Sequence, residues 1–297
     1  MDKVVVTEKV EVRRESILPP YFFLILPAVL FMLLMYGYPF AASIVKSFIN
    51  RQGLLSFDNY IKTWDLYLKD ILFTFGLTVS NTLIVGVISI ILAVYFRLRE
   101  STVSRVLLYL YKMPIFIPFV VVAQMMNSFL APHGLLNVVL AQTGLINMER
   151  PLQLLNFYGL SFGFIWKLVA FSAFIMHGGF QMIDNSYIEA ARSAGARMPR
   201  VITRILIPMN RSSIMVALVL VYSHIVSTFT LPYMIISGKI PTTITVDIAH
   251  RVNYFRDFGV ANTLGVISYI MVLFCALYYL RTTVRTAKEK GLGRFKI

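Results

Sequence analysis

Long apolar runs constrain this chain more than any other feature of its sequence. A bilayer core needs about 20 apolar residues at a helical rise of 1.5 Å per residue, and runs of that length recur along the chain. Backbone groups inside a bilayer must be paired within the protein, so each run is expected to form a helix. We therefore predict an all-α integral membrane protein with six transmembrane helices. The predicted spans are at about 21–45, 71–96, 106–130, 157–180, 214–236 and 259–280.

Composition supports this class of protein, and the distribution of charge orients it. Hydrophobic residues make up 58% of the 297 residues, charged residues make up 14%, and the mean hydropathy is +0.72. A soluble domain carries about 25% charged residues. Lys and Arg number 18 in the N-terminal segment, the second and fourth connections and the tail, against 8 in the other three connections. Because cytoplasmic segments are richer in Lys and Arg, both termini are predicted to be cytoplasmic, and the net charge of +14 reflects topology and not nucleic-acid binding.

On this interpretation the chain divides into three parts. Residues 1–20 form a cytoplasmic N-terminal segment, residues 21–280 form a six-span transmembrane domain, and residues 281–297 form a basic cytoplasmic tail. The most highly charged interruption of the domain is the segment 184–211, between the fourth and fifth spans. The predicted orientation places this segment, called the 184–211 loop below, on the cytoplasmic side.

The sequence of the 184–211 loop predicts two short helices joined by a glycine. Ser186 and Glu189 have the spacing of a capping box, in which each side chain bonds a free backbone N–H at a helix start. Gly195 stands where a helix end needs a left-handed backbone, which glycine adopts without a Cβ penalty. Pro199 suits the first turn of a second helix, where its missing N–H has no consequence.

The second predicted helix of the loop is amphipathic. Residues three, four and seven positions apart share one face of a helix. The apolar face is predicted to consist of Val201, Ile202, Ile205, Leu206 and Met209. The basic face is predicted to consist of Arg197, Arg200, Arg204 and Arg211. A helix with these two faces is expected to lie at the membrane edge.

The spacing of six residues in the loop resembles a known family. The pattern is E-A-A, then G-A, then a proline nineteen residues after the Glu, and it falls on Glu189, Ala190, Ala191, Gly195, Ala196 and Pro208. It resembles the EAA loop of the membrane subunits of binding-protein-dependent ABC importers. The resemblance implies that these residues couple the chain to a cytoplasmic ATPase by docking into a groove of that subunit. The sequence departs from the family at Ala194 and Ile202, where an acidic and an aromatic residue are common.

Shorter motifs from about residue 20 onward resemble the same family. They are Leu26-Pro27, Tyr38-Pro39, Asp58-Asn59-Tyr60, Met113-Pro114, Gly134-Leu135-Leu136-Asn137 and Gly144-Leu145. The chain looks most similar to the maltose-type carbohydrate permeases, with the polyamine, thiamine and iron branches nearly as similar. The resemblance implies a prokaryotic cytoplasmic membrane location and alternating access. It also implies three kinds of partner: a homologous or identical second permease, two ATPase subunits that bind ATP and Mg, and an extracytoplasmic solute-binding protein.

Polar residues inside the predicted spans are candidates for the solute pathway. Lys167 lies about ten residues into the fourth span, near the midplane, where a Lys costs on the order of 3 kcal/mol unless it faces water or a partner. The other candidates are His224, Ser227 and Thr228 in the fifth span and Gln124 and Asn127 in the third. Snorkelling of the lysine and interhelical hydrogen bonds are the alternative interpretations. A pathway lined by these groups would suit a saccharide.

The sequence gives no indication that this chain itself catalyses a reaction. No G-x-x-x-x-G-K-[ST] loop occurs, so ATP hydrolysis is expected on a partner subunit. The four histidines are isolated, Cys275 stands alone, and acidic residues are almost absent from the predicted spans. We therefore expect a transport subunit that is not an enzyme and holds no metal or cofactor. A carrier or channel that works without an ATPase is the alternative of another class.

Overall fold

A computed structural model describes residues 21–50, 52–99, 101–236, 238–239 and 241–289. The predicted N-terminal segment 1–20 and the end of the predicted tail, 290–297, lie outside the described residues. Within the described ranges the chain is helical, with an isolated antiparallel bridge between Ile49 and Leu55 and no strand. The all-α class predicted from the sequence therefore holds for this part of the chain.

The helices are numbered in chain order. The first seven are α1 Tyr21–Met32, α2 Tyr38–Ser47, α3 Asp58–Leu98, α4 Thr102–Leu110, α5 Met113–Phe116, α6 Phe119–Leu130 and α7 Leu135–Gln142. The next four are α8 Phe157–Gln181, α9 Asn185–Ser193, α10 Met198–Val201 and α11 Ile207–Met209. The last four are α12 Arg211–Ser227, α13 Thr230–Ile236, α14 Ile244–Asn253 and α15 Phe258–Glu289. Two π-helical turns, Leu33–Gly37 and Ile202–Leu206, connect α1 to α2 and α10 to α11.

Five helical segments in the described part of the chain are long and apolar enough to cross a membrane. They are Leu24–Ser47, Asp58–Leu98, Phe119–Gln142, Phe157–Gln181 and Phe258–Arg281. A sixth is reached if Met198–Met209 and Arg211–Ser227, which meet at an angle of 71°, are counted as one bent span. The predicted fourth span, 157–180, coincides with α8.

The helix that contains the predicted second span, 71–96, begins well before that span. Helix α3 begins at Asp58 and runs for 41 residues, so it includes the end of the segment 46–70 that was predicted to be a polar connection. Polar residues on one face of its first turns, Asn59, Thr63 and Asp70, are buried against other helices. Tertiary packing therefore keeps polar residues in a helix that the hydropathy pattern alone does not include.

Two predicted spans are interrupted. The third, predicted at 106–130, is divided among α4, α5 and α6, with Pro114 at the start of α5 and Pro118 directly before α6. A proline cannot donate the backbone hydrogen bond that continues a helix. The fifth, predicted at 214–236, breaks at Thr228, which has an extended backbone.

Three helices extend into segments that were predicted to be loops or tail. Helix α7 lies within the predicted loop 131–156, α14 lies within the connection 237–258, and α15 continues to Glu289 in the predicted tail. The predicted tail, 281–297, is therefore helical in its first part.

The core lies between α3, α6, α8, α12 and α13. Its largest fully buried side chains include Leu77 of α3, Phe164 and Leu168 of α8, and Leu231 of α13. A second buried cluster joins the cytoplasmic ends of α3 and α8, as the predicted orientation places them, to the 184–211 loop. That cluster consists of Ala93, Val94, Met176, Phe180, Ile183, Val201, Leu206, Ile214 and Ala217.

Gly179 allows the closest approach between α8 and the beginning of α12. A Cβ at this position would lie 2.0 Å from Oδ1 of Asn210 and 2.2 Å from Oγ of Ser213. The Nδ2 of Asn210 donates to the carbonyl of Met176 at 2.9 Å, which holds the two helices together at this level. Only a residue without a side chain fits between them.

We expect Gly179→Ala to destabilise the folded protein by roughly 1–3 kcal/mol, because the new methyl group overpacks this contact. The measurement is the thermal unfolding temperature of the purified protein in detergent. Gly178→Ala is the matched control, since a Cβ there meets nothing within 4 Å and alanine favours a helix by about 0.5–1 kcal/mol over glycine. Equal unfolding temperatures for the two variants would contradict the close-approach argument.

Candidate functional site

The first helix of the 184–211 loop, α9, begins two residues earlier than the sequence predicts. Asp184 is the N-cap, and its Oδ1 accepts the backbone N–H of Ser186 at 2.8 Å. This hydrogen bond lowers the pKa of Asp184. The predicted capping box of Ser186 and Glu189 is therefore wrong, because Ser186 already lies inside the helix. An Asp is as good an N-cap as a Ser, and it stands two residues upstream.

The glycine at the end of α9 takes the predicted conformation. Gly195 has φ +79°, and a Cβ there would meet nothing within 4 Å. The N–H of Ala196 donates to the carbonyl of Ala191 at 3.0 Å, and the N–H of Gly195 donates to that of Arg192 at 2.9 Å. This pair of hydrogen bonds is a Schellman motif. The turn is therefore set by backbone conformation and not by lack of space.

The second helix of the loop contains a π-helical turn before Pro208. Pro199 lies in its first turn, as predicted. The N–H of Ile207 donates to the carbonyl of Ile202, five residues back, and Pro208 follows. The extra residue rotates the end of the helix, so Met209 is 44% exposed and the prediction that it belongs to the apolar face is wrong. Val201 and Leu206 are fully buried, as that face requires.

The six residues of the EAA pattern divide into inward-facing and outward-facing groups. Ala191 and Ala196 pack against the buried cluster that joins the loop to α3 and α8. Glu189, Ala190, Gly195 and Pro208 are exposed. These four residues therefore place one carboxylate and small side chains at the surface of the loop.

Arg97, at the end of α3, fixes the start of the loop. Its Nε donates to the carbonyl of Phe180 at 2.9 Å, and one Nη donates to that of Ile183 at 2.8 Å and to Oδ1 of Asn185. Carbonyls at the end of α8 have no partner within their own helix. One guanidinium therefore satisfies them and ties the ends of α3 and α8 to the first residue of α9.

Lys167 lies in α8 and bonds backbone carbonyls of another helix. Its Nζ donates to the carbonyls of Pro114, Ile115 and Ile117, and it lies 5.5 Å from the centroid of the Phe119 ring. These carbonyls lie in and just after α5, where Pro118 has no N–H to donate to the carbonyl of Pro114 as the next helical residue would. The lysine is 7% exposed. Its burial is therefore accounted for by the backbone groups that it satisfies.

His224 lies near the same aromatic ring. Its ring centroid is 6.5 Å from that of Phe119 and 5.3 Å, edge to face, from that of Phe171. The hydroxyls of Ser227 and Thr228 donate to backbone carbonyls one turn earlier in α12. The structure therefore brings Lys167 and His224 close to one aromatic ring, that of Phe119.

Gln124 and Asn127 lie on α6, one turn apart. The Nδ2 of Asn127 donates to the carbonyl of Met234 in α13 at 3.1 Å. Gln124 is exposed and lines a cavity of about 540 Å³ whose wall includes Phe162 and Trp166. Neither Lys167 nor His224 lines this cavity.

Hydropathy-based prediction missed three buried carboxylates. Asp70 of α3, Asp247 of α14 and Asp257, directly before α15, are 6%, 4% and 5% exposed. The signal for Asp70 is the spacing of Asn59, Thr63, Asp70 and Thr74 at intervals of four and seven, which places four polar residues on one helix face. No cluster of three or more His, Cys, Asp or Glu side chains that could hold a metal ion occurs among the described residues.

Comparison with known proteins identifies the family of this chain. The family described as binding-protein-dependent transport system inner membrane component matches residues 86–286. The chain belongs to this family, and it is a permease subunit of an ABC importer.

Relatives of known function are similar over most of their length. The sulfoquinovosyl glycerol transport system permease protein SmoG of Agrobacterium fabrum is 26% identical over 87% of this chain and 88% of the relative. The trehalose/maltose transport system permease protein MalF of Thermococcus litoralis is 24% identical over 79% and 81%. The diacetylchitobiose uptake system permease protein DasB of Streptomyces coelicolor is 25% identical over 93% and 90%.

Solved structures share the fold. A bacterial ABC transporter involved in the import of alginate contains a chain with a TM-score of 0.73 and 22% identity, covering 88% of this chain and 94% of that one. The same kind of transporter in complex with a periplasmic protein that holds an alginate pentasaccharide gives a TM-score of 0.75 and 22% identity, over 90% and 94%. The observed arrangement of helices is thus that of an importer membrane subunit.

We expect Lys167→Met to destabilise the protein by about 1–3 kcal/mol, because it leaves buried carbonyls without a donor. Thermal unfolding in detergent is the measurement. Lys167→Arg should retain most of the stability, since a guanidinium can bond the same carbonyls. Lys46→Met, at an exposed position in α2, is the control for loss of a positive charge. A wild-type unfolding temperature for Lys167→Met would show that these hydrogen bonds do not stabilise the fold.

Proposed function

We propose that this chain forms the translocation pathway of an ATP-driven importer for a small polar solute, a sugar or oligosaccharide, delivered by an extracytoplasmic binding protein. The observation that carries the proposal is the exposed helix–glycine turn of the 184–211 loop on a chain of this family. That surface has no function in a carrier that works alone. The sugar class is supported by the names of three relatives, which transport sulfoquinovosyl glycerol, trehalose or maltose, and diacetylchitobiose.

The proposed topology has six spans with both termini and the 184–211 loop in the cytoplasm. It takes Arg211–Ser227 as the first part of the fifth span and Met198–Met209, the other member of the bent pair, as the cytoplasmic approach to that span. The excess of Lys and Arg in the segments assigned to the cytoplasm supports this orientation. The membrane would be the prokaryotic cytoplasmic membrane, in keeping with the inner membrane description of the family.

The proposed partners follow from the loop and the family. Two ATPase subunits, each binding ATP and Mg, would contact the loops of this chain and of a second permease, either homologous or identical. Glu189 and Ala190 would enter the ATPase groove, while Ala191 and Ala196 hold the loop on its own core. Gly195 would set the angle between the two loop helices, and Pro208 would mark the bend toward α12.

We expect Gly195→Val to abolish solute-stimulated ATP hydrolysis while the spans stay folded. A left-handed backbone costs an L-residue roughly 1–2 kcal/mol, and more for a β-branched one, so the turn between α9 and α10 should change. Gly195→Asn is the matched control, because asparagine tolerates this conformation and the site has room for a side chain. The readouts are ATPase activity of the assembled importer and the unfolding temperature of the permease. Normal coupling in the valine variant would count against the docking role of the loop.

The proposed solute pathway runs beside the region where α6, α8 and α12 meet. His224, Ser227 and Thr228 would offer polar groups from α12, and Gln124 and Asn127 would offer amides from α6. Lys167 would act by holding the α5–α6 break in position and by adding a positive charge near Phe119. Hydroxyl-rich solutes suit amide and imidazole groups beside aromatic rings. A positive charge would disfavour a polyamine.

Purification with co-purifying subunits, followed by an ATPase assay with added binding protein, tests the proposed function. The solute panel contains mono- and oligosaccharides, spermidine, thiamine and ferric iron. We expect an ATPase to co-purify and its activity to rise with a saccharide. Stimulation by spermidine would support a polyamine cargo instead, for which a relative at 23% identity, a spermidine/putrescine permease protein of Haemophilus influenzae, gives a precedent. Transport without any ATPase would support the carrier alternative.

A further inference from the structure

The start of α14 is attached to α3 by two buried side chains. Oδ1 of Asp70 accepts the backbone N–H of Thr242 at 2.8 Å, and Oγ1 of Thr74 accepts that of Ile244 at 3.0 Å. Asp70 and Thr74 are one turn apart on α3 and are 6% and 1% exposed. The first N–H groups of a helix lack partners within it. The connection between the fifth and sixth predicted spans is therefore held on α3 by groups that satisfy its backbone.

A second carboxylate is buried at the same contact. Asp247 lies one turn into α14, is 4% exposed, and its Oδ2 has no hydrogen-bond partner among the described residues. The hydroxyl of Thr242, the residue whose N–H bonds Asp70, likewise has none. An unpaired charge in such a place is costly. Burial, and then the nearby carboxylate of Asp70, raise the pKa of Asp247 to about 8.

The positive charge nearest to Asp247 is engaged elsewhere. Nε of Arg251 donates to the hydroxyl of Tyr67, and its Nη1 lies 3.6 Å from Oδ2 of Asp257. The guanidinium also stacks on the rings of Tyr67 and Phe255. It lowers the pKa of Asp247 only in part, against the larger effect of burial. No side chain in the described part of the chain therefore forms an ion pair with Asp247.

Other polar and titratable groups face α14 from the elements that pack against it. From α3 they are Tyr67, Asp70 and Lys62, which pairs with Asp257 before α15. On α14 itself, His250 is half-buried between the rings of Tyr233 and Tyr254. The contact from α12 is a backbone carbonyl, that of Thr228, which accepts the hydroxyl of Thr245 at 3.0 Å.

We propose that Asp247 binds a proton when α14 is docked on α3, and that the Asp70–Asp247 pair makes this attachment sensitive to pH. Lys69 and Arg251 act on these carboxylates from a distance, but neither forms an ion pair with Asp70 or Asp247. Two carboxylates enclosed at one contact, with one backbone N–H donor to Asp70, cannot both carry a charge at low cost. Asp70 accepts that donor and holds the charge. Asp247 takes the proton and remains neutral.

The direction of the pH effect follows from proton linkage. In the docked state Asp247 keeps its proton up to about pH 8, whereas an exposed Asp loses it at about pH 4. Undocking therefore releases one proton between these two values. The undocking equilibrium rises by up to about tenfold for each pH unit between pH 5 and 8 and levels off above pH 8.

Hydrogen–deuterium exchange of the full-length protein in detergent tests this inference. Protection of the backbone amides at 244–253, corrected for the intrinsic exchange rate at each pH, is measured from pH 5.5 to pH 9. We expect wild-type protection to fall by up to about tenfold per pH unit and then to level off. Asp247→Asn, which mimics the protonated side chain, should remove the pH dependence and keep protection high.

Three further variants test whether a group other than the Asp70–Asp247 pair causes the pH dependence of protection. Asp65→Asn removes an exposed charge from the same α3 helix and should behave as the wild type. His250→Gln should also keep the wild-type fall, because it removes the imidazole of α14 and leaves the Asp70–Asp247 pair unchanged. Asp70→Asn keeps an oxygen acceptor for Thr242 but removes the like charge beside Asp247. The pKa of docked Asp247 should then be lower, so the fall in protection at 244–253 should level off at a lower pH. Wild-type protection that does not depend on pH, or a fall that persists in Asp247→Asn, would overturn the proposal.

Discussion

The contact between α3 and α8 is the one on which the rest of this structure depends. The two helices are the longest buried elements, and small or polar residues allow them to approach along their length. Nδ2 of Asn81 donates to Oγ of Ser161 at 3.1 Å in the middle of the contact, with Leu77 and Phe164 packed around it. Hydrogen bonds of this kind hold helices together where lipid provides no hydrophobic driving force between them. Helices α6, α12 and α13 pack on one side of this pair, and the 184–211 loop is attached at its end.

Interrupted helices inside a membrane create backbone groups that need partners, and this protein supplies them from side chains distant in sequence. Lys167 bonds carbonyls near Pro114, Asn210 bonds the carbonyl of Met176, and Asp70 bonds the N–H of Thr242. Lys167 is polar at a position where hydropathy alone would favour an apolar residue, whereas Asp70 and Asn210 lie outside the spans that hydropathy predicts. Such residues therefore have a structural reason to be present, whether or not they also contact a solute.

The sequence was sufficient to predict the features that depend on local patterns. The limits of α8 and the left-handed turn at Gly195 follow from an apolar run and from the spacing of a helix end. The start of α3 at Asp58 could not be predicted in this way, since its polar residues are retained by packing against other helices. The pairing of Asp70 with the start of α14 joins residues 172 positions apart. No local pattern carries that information, and the same holds for the carbonyls bound by Lys167.

The attachment of the 184–211 loop has a mechanical consequence. Its first helix is held by Arg97 to the ends of α3 and α8, and its second helix runs into α12, which Asn210 joins to Met176 of α8. Two anchors on opposite ends of a short segment convert a sideways push into torque about the line between them. A force on the exposed face of α9 would therefore twist α12 against the α3–α8 pair. The loop would transmit this rotation without being stretched. How far α12 rotates for a given force would depend on the angle between the two loop helices at Gly195.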